Sequence, residues 1–262
     1  MAERQIRFDD GASYERMMGR WSQLAGDVFL DWLAPPPGLR WLDVGCGNGA
    51  FTERIVERCA PATVLGIDPS EDQLAFARKR PAARIAEFRQ GDAMSLGATD
   101  NSFDAAVMAL VIFFVPEPAK GVAEMTRVVR PGGIVTSYTW DILGGGFPLD
   151  ALFAVMRAGG MRPILPPSAE ASRMTALVQL WKDAGLEAIE TREITVSRTF
   201  ADFEDLWSTS IQSSSIKAKF ASMAPADVEL LKAGLRERMP PGADGRITYP
   251  ARANAVKGKV AQ

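Results

Sequence analysis

The chain is predicted to form an α/β fold built on a parallel sheet, and three observations predict it. Between residues 40 and 140, apolar runs alternate with helix-like segments, the order that lays strands side by side in one direction. The first run, Trp41-Leu42-Asp43-Val44, passes at once into Gly45-Cys46-Gly47-Asn48-Gly49 and a helix start near Ala50. A later run, residues 105–109, is apolar without alternation, as a strand covered on both faces must be.

Taken in order, residues 12–33 space Met17, Trp21, Leu24, Val28 and Trp32 as one face of a helix, and Pro35-Pro36-Pro37-Gly38 stops it. In the turn after the first strand, glycines let the backbone bend through positive φ and bring main-chain amides close to a ligand at a helix N-terminus. With Ala50 the spacing also fits the Gly-x-Gly-x-x-Gly/Ala dinucleotide fingerprint, and a tight turn with no ligand is the plainer alternative. A helix over 51–59 leads to a second strand, 63–68, which closes on Asp68. That places an acid about 20 residues beyond the glycines, a position suited to a ribose diol. Ser70 is placed to cap the next helix, with Glu71 in its first turn. A third strand near 84–89 runs into Gln90-Gly91-Asp92-Ala93-Met94, which brings another carboxylate to the same edge.

The fourth strand is expected to continue through 110–115, where Phe113 and Phe114 suggest either an apolar pocket or core. A helix over 118–130 and the turn Pro131-Gly132-Gly133 precede the fifth strand, 134–140. Trp140 and Asp141 stand at its carboxyl end. Trp140 is a candidate pocket wall; Asp141 is the candidate to accept a proton or orient a nucleophile, and a turn or capping role is its alternative. Gly144-Gly145-Gly146 and the prolines of 163–167 bracket a helix-like stretch, 147–161, suited to a mobile cover, with a plain surface excursion as its alternative. A helix over 168–184 ends at Gly185, a strand follows over 186–199, helical pieces fill 202–239 with a break at Ser213-Ser214-Ser215, and 246–255 forms the last strand.

Composition narrows the chemistry. The 262 residues suffice for a large core, and the net charge of −2 gives no electrostatic case for nucleic acid. Arg246, Arg252, Lys257 and Lys259 are expected to form a solvated face. The longest apolar run, 105–115, is far short of the ~20 residues a spanning helix needs. Neither a secretory leader nor a disulfide framework is expected from the first residues and the two cysteines, so a cytoplasmic location is. There is no histidine, which excludes Ser-His-Asp hydrolysis, Cys-His catalysis at Cys46 and His-ligated zinc; no metal site is expected.

Three successive strand ends carrying Asp43, Asp68 and Asp92 fit a ligand with an amine, a ribose and an adenine amino group better than a pyrophosphate. Together with LDVGCGNG (42–49), GIDPS (66–70), GDAMSL (91–96), SFDAAV (102–107) and RVVRPGG (127–133), the chain resembles the class I S-adenosylmethionine-dependent methyltransferases, specifically the type-11 group with ubiquinone/menaquinone-biosynthesis-like members. The likeness runs in order over residues 14–184 and is looser beyond.

The resemblance implies a Rossmann-like, seven-stranded, mostly parallel sheet with helices on both faces, an antiparallel final strand and helical lid insertions. It implies an N-terminal helical cover (1–37), a cofactor-binding core (38–141, continued at 168–199), a lid insertion (142–167), a helical insertion (200–240) and a last strand with tail (241–262). The implied cofactor is S-adenosyl-L-methionine, leaving as S-adenosyl-L-homocysteine. Its implied contacts are Tyr14, Arg20, Trp21, Asp43, Gly45, Cys46, Gly47, Asp68, Pro69, Asp92, Ala93, Met94 and Leu110, with Phe113, Phe114 and Trp140 lining the acceptor pocket. Relatives often carry polar residues or histidine after the fourth strand, whereas this chain is apolar there, which points to a small, partly apolar acceptor. Two alternatives stand beside this reading: an NAD(P)-linked oxidoreductase, which leaves Gly91-Asp92-Ala93 without a role, and a cofactor-binding regulatory module without catalysis.

Overall fold

The computed structural model describes residues 15–212 and 214–262. Seven strands form one sheet: β1 (Arg40–Val44), β2 (Thr63–Asp68), β3 (Ala86–Gln90), β4 (Phe103–Ala109), β5 (Val129–Trp140), β6 (Glu187–Phe200) and β7 (Ile247–Lys259), in the order β3-β2-β1-β4-β5-β7-β6. Strands β1 to β5 pair in parallel, and β7 inserts antiparallel between β5 and β6. The seven-stranded sheet with its antiparallel strand is therefore as expected. The order reverses between β1 and β4, the place where an open sheet of this kind leaves a crevice beyond its carboxyl ends.

The period-two alternation of strand side chains divides the core. Trp41, Ala105, Val107 and Tyr138 face one layer; Leu42, Val44, Ala106, Met108 and Val135 face the other. Helices α1 (Arg20–Leu33), α2 (Ala50–Cys59) and α3 (Glu71–Ala77) cover the first face through Phe29, Ile55 and Leu74. Helices α4 (Pro118–Val128) and α6 (Met174–Asp183) cover the second through Met125 and Trp181. The segment between β5 and α6 holds α5 (Asp150–Ala158), and that between β6 and β7 holds α7 (Phe203–Ser210), α8 (Ser214–Ala221) and α9 (Pro225–Arg238). Val155 of α5 packs against Gly234 of α9, and Leu152, Leu231 and Leu235 share the first core.

Three expectations are corrected. The fourth strand stops at Ala109 rather than running to 115: Leu110 turns into the left-handed region at φ 62° and Ile112–Phe114 forms a 3-10 turn. Its parallel neighbours run out there, since β1 pairs only as far as Asp43 with Val107 and β5 pairs Tyr138 with Ala109, so an apolar run outlives its ladder. The helix expected over 168–184 is broken by Arg173, whose extended backbone (ψ 139°) separates a 3-10 turn from α6. Finally, Pro131-Gly132-Gly133 lies within β5 as an irregularity, and the helix before it ends at Val128.

Candidate functional site

The site grows from the carboxyl ends of β1, β2 and β3. After β1, the amides of Gly45 and Cys46 both donate to the Ile67 carbonyl (2.7 and 3.0 Å), so the turn is stitched to β2 before α2 begins. Gly49 N–H donates to Cys46 O at 2.9 Å, and Asn48 Oδ1 accepts from Ala50 N–H at 3.2 Å. Arg80 supports the loop from outside, donating to Asn48 O (2.6 Å) while pairing with Glu53.

The two alternating glycines do different work. At Gly45, φ is 76° and a Cβ would lie 2.5 Å from Val111, so this glycine admits the segment after β4 against the turn. At Gly47, φ is 53° and a Cβ would meet no protein atom within 4 Å, so the backbone there is open to an incoming group. The thiol of Cys46 faces inward, packed where a Cβ on Gly66 would lie 2.9 Å from it. Burial, with the charges of Asp43 and Asp68, pushes that thiol's pKa up, which leaves Cys46 a small apolar filler rather than a nucleophile.

Asp68, half-buried at the end of β2, is the junction. One carboxylate oxygen accepts the Gly47 N–H and the other the Ser70 N–H, each at 2.9 Å. Its carbonyl accepts from Gly91 N–H at 3.1 Å, and in the sheet it pairs with Gln90 of β3, two residues before Asp92. Burial raises the Asp68 pKa, opposed by the hydrogen bonds from Ser70 and Gly47. Ser70 caps α3 by accepting from Gln73 N–H (3.3 Å), and Gln90 fixes Pro69 by donating to its carbonyl at 3.0 Å. Asp92 is exposed and shapes its own turn, accepting from Met94 N–H at 2.8 Å; Ala93 and Met94 beside it are partly exposed.

Asp43 is fully buried. Oδ2 accepts from Thr52 Oγ1 of α2 at 2.6 Å, while Oδ1 has no hydrogen-bond partner among the described residues. Burial lifts its pKa to about 7; the Thr52 bond lowers it and the charge of Asp68 raises it further. A carboxylate oxygen left without a donor in the interior is costly unless something supplies one. Open Gly47, the remaining lone pairs of Asp68 and the unpartnered oxygen of Asp43 lie at adjoining strand ends, and this donor and acceptor set fits an adenosyl amino acid.

The remaining candidates are distributed as follows. Leu110 is buried at the end of β4, its N–H held by Tyr138 O at 2.8 Å. Phe113 is buried and Phe114 partly so, their rings edge to face at 4.5 Å, and Trp140 is 1 % exposed. Trp21 is buried and meets Tyr249 edge-on at 6.3 Å; Arg20 is exposed at the start of α1, near Arg198 of β6. Tyr14 lies outside the described residues.

Asp141 departs from a free proton acceptor. Its Oδ2 is bound by Arg252 through Nε (3.1 Å) and Nη2 (2.5 Å), and its Oδ1 accepts from Gly144 N–H at 3.0 Å. Arg252, expected on a solvated face, is thus the guanidinium of an ion pair, because β7 inserts beside β5. Lys257 likewise pairs with Glu190 and lies over the Trp32 ring. No local sequence signal marks Arg252, Thr52 or Arg80: each reaches its partner only through the fold. Among the described residues, no group of acidic or sulfur side chains is placed to hold a metal, and no helix is long and apolar enough to cross a membrane.

The fold and this edge define an α/β domain whose polar groups gather at the carboxyl ends of β1, β2 and β3. Residues 42–137 match the family described as the methyltransferase domain. A demethylmenaquinone methyltransferase from Desulfitobacterium hafniense is 39% identical over 106 residues, 38% of this chain and 42% of that protein. A ubiquinone/menaquinone biosynthesis C-methyltransferase from Dinoroseobacter shibae is 36% identical over 121 residues, 45% of this chain and 48% of that one. The chain spans less than half the length of these curated relatives. A Haemonchus contortus phosphoethanolamine N-methyltransferase, solved with phosphomonomethylethanolamine and S-adenosylhomocysteine, superposes with a TM-score of 0.61 at 20% identity, over 99% of this chain and 59% of that one, a likeness of fold.

Proposed function

We propose that this protein transfers a methyl group from S-adenosylmethionine to a small, partly apolar acceptor, working in the cytoplasm without nucleic acid as substrate. The observation that carries the reading is the Asp68 junction beside open Gly47: one carboxylate braces the glycine turn and the start of α3 and keeps lone pairs for a diol. When bound, the cofactor supplies an electrophilic methyl on a sulfonium centre. In this reading Asp68 holds the ribose, Pro69 and Met94 flank the adenine, Asp92 accepts from its amino group, and Asp43 and the Gly45 to Gly47 backbone receive the amino acid end.

Phe113, Phe114 and Trp140 would form a dry wall for the acceptor, with Leu110 on the cofactor side. In-line placement of donor and nucleophile by such a wall can supply about 7 to 11 kcal/mol of the barrier, so no histidine and no covalent enzyme intermediate is needed. The names of the two bacterial relatives suggest a quinol-type ring as acceptor. Isothermal calorimetry with S-adenosylhomocysteine, and transfer of labelled methyl to a short-chain demethylmenaquinone in reduced form, test the two halves of the proposal. Binding of the first with transfer to the second is expected; failure of S-adenosylhomocysteine to bind would end it.

A further inference from the structure

The loop leaving β5 is closed in a way that a mobile cover does not require. Asp141 N–H donates to Arg252 O (3.0 Å), Arg252 N–H to Gly146 O (2.8 Å) and Gly146 N–H to Asp141 O (2.8 Å), so 141–146 is sealed onto β7 by main-chain bonds. Side chains lock the same loop. Arg252 binds Asp141 twice and donates from Nη2 to Gly144 O at 2.9 Å, while Gly144 N–H donates to the Asp141 carboxylate.

Two of the three glycines in 144–146 follow from this packing. A Cβ on Gly144 would lie 2.1 Å from Asp141 Oδ2, and one on Gly146 would lie 2.7 Å from Arg252 O. Gly144 is small because the Asp141 carboxylate fills its space, and Gly146 because the Arg252 carbonyl and the Cβ atoms of Arg252 and Asp141 do, not because the chain must swing there. Four residues after Gly146 the chain enters α5, whose Leu152, Val155 and Met156 are buried in the core shared with α9. The loop also begins at Trp140, on the strand adjoining the crevice edge at Leu110.

We infer that the Asp141 and Arg252 pair is a clamp that sets where α5 departs from the sheet, and that Asp141 is a positioning residue for the acceptor wall, not a base. Resting on the methyl-transfer reading, the inference explains why a carboxylate at the mouth of the crevice has both oxygens engaged. A displaced wall costs turnover because misplacement of about 1 Å can lower rates about a hundredfold. Donor binding, which belongs to β1, β2 and β3, is spared.

The test compares Asp141→Asn, Arg252→Met, Arg252→Lys and the double variant Asp141→Asn with Arg252→Met, all in the full chain. Hydrogen exchange over 142–149 should accelerate at least about tenfold in each of the first two, no further in the double variant, and less with lysine. S-adenosylhomocysteine affinity should stay within about twofold. With short-chain demethylmenaquinone as probe, Asp141→Asn and Arg252→Met should lose turnover alike and keep the wild-type pH profile. Loss confined to Asp141→Asn with an altered profile, unchanged exchange, or additive exchange in the double variant would overturn the clamp. If the wild type transfers no methyl to the probe, the quinol proposal fails while the exchange comparison still decides the clamp.

Discussion

Gly47 and Asp68, 21 positions apart, are joined by a 2.9 Å hydrogen bond from the glycine amide to the aspartate Oδ2. That bond, with the one from Ser70 to Oδ1, makes a single carboxylate responsible for the shape of both helix entrances at the site. Replacing Asp68 with alanine frees two amides that lie close to solvent, where water can partly serve them, so the stability loss should be modest, about 1 to 2 kcal/mol. The loss of S-adenosylhomocysteine affinity should be larger, about a hundredfold, because binding needs both the preset turn and the acceptor. Calorimetry and urea titration on the same variant measure the two; equal affinity in the variant and the wild type would remove the ribose assignment.

Gly45→Ala and Gly47→Ala should fail in different ways. At Gly45 the methyl would strike the Val111 side chain, so both conformation and packing are violated, and unfolding free energy should fall by about 2 to 4 kcal/mol. At Gly47 the methyl enters open space, and the cost to folding is the left-handed backbone alone, about 1 kcal/mol. Its effect should appear instead as a loss of S-adenosylhomocysteine binding. A Gly47→Ala protein that binds as the wild type does would show that no ligand approaches this turn.

Much of this arrangement was legible in the sequence for a physical reason. A glycine turn, its acid at the next strand end and a serine cap are local devices, each encoded within a few residues, so β1, α2, β2 and α3 lie where Trp41 to Ala77 indicate. What could not be read is what depends on sheet neighbours. Residues 110–115 are apolar enough to be strand, yet only the end of pairing at Asp43 and Tyr138 stops β4 at Ala109. Arg252 looks like any surface cation until β7 is laid against β5 and places it 111 residues from its partner in sequence but in contact in space.

Asp43 gives the protein a pH dependence of defined sign. Its pKa stands at about 7 in the folded chain, against about 3.9 for an unfolded aspartate, so the folded state holds the proton more tightly. Between about pH 4 and pH 7 the unfolded chain ionises first, and stability should decline as pH rises through that window, by roughly 4 kcal/mol at most. Asp43→Asn should flatten the decline. The ion pairs of Asp104 with Arg40 and Arg130 act with the opposite sign and in another window, since hydrogen bonding to Arg40 holds the Asp104 pKa well below the usual range and its contribution fades only in stronger acid. Urea midpoints at pH 4.5, 6 and 8 for the wild type and the variant measure the effect, and parallel curves would contradict it. A cationic ligand at Asp43 should bind more tightly as the pH rises through 7, and that trend too should vanish in the asparagine variant.

Leu110 offers a test of backbone strain at the switch point. Its φ of 62° belongs to the left-handed region, which costs a residue with a Cβ about 1 to 2 kcal/mol, yet its side chain is buried and its N–H is held by Tyr138 O. Truncation therefore has two opposed consequences. Leu110→Ala loses the buried side chain and keeps the strain, so it should cost about 2 to 4 kcal/mol. Leu110→Gly loses the same side chain but releases the strain, and should be as stable as the alanine variant or about 1 kcal/mol more stable. At an ordinary strand position such as Leu42, fully buried in β1, the order is reversed and glycine is the worse choice. Paired thermal or urea unfolding of the four variants reads the inversion directly. If glycine is the more damaging replacement at 110 as well as at 42, the left-handed turn after β4 is not a feature of the folded chain.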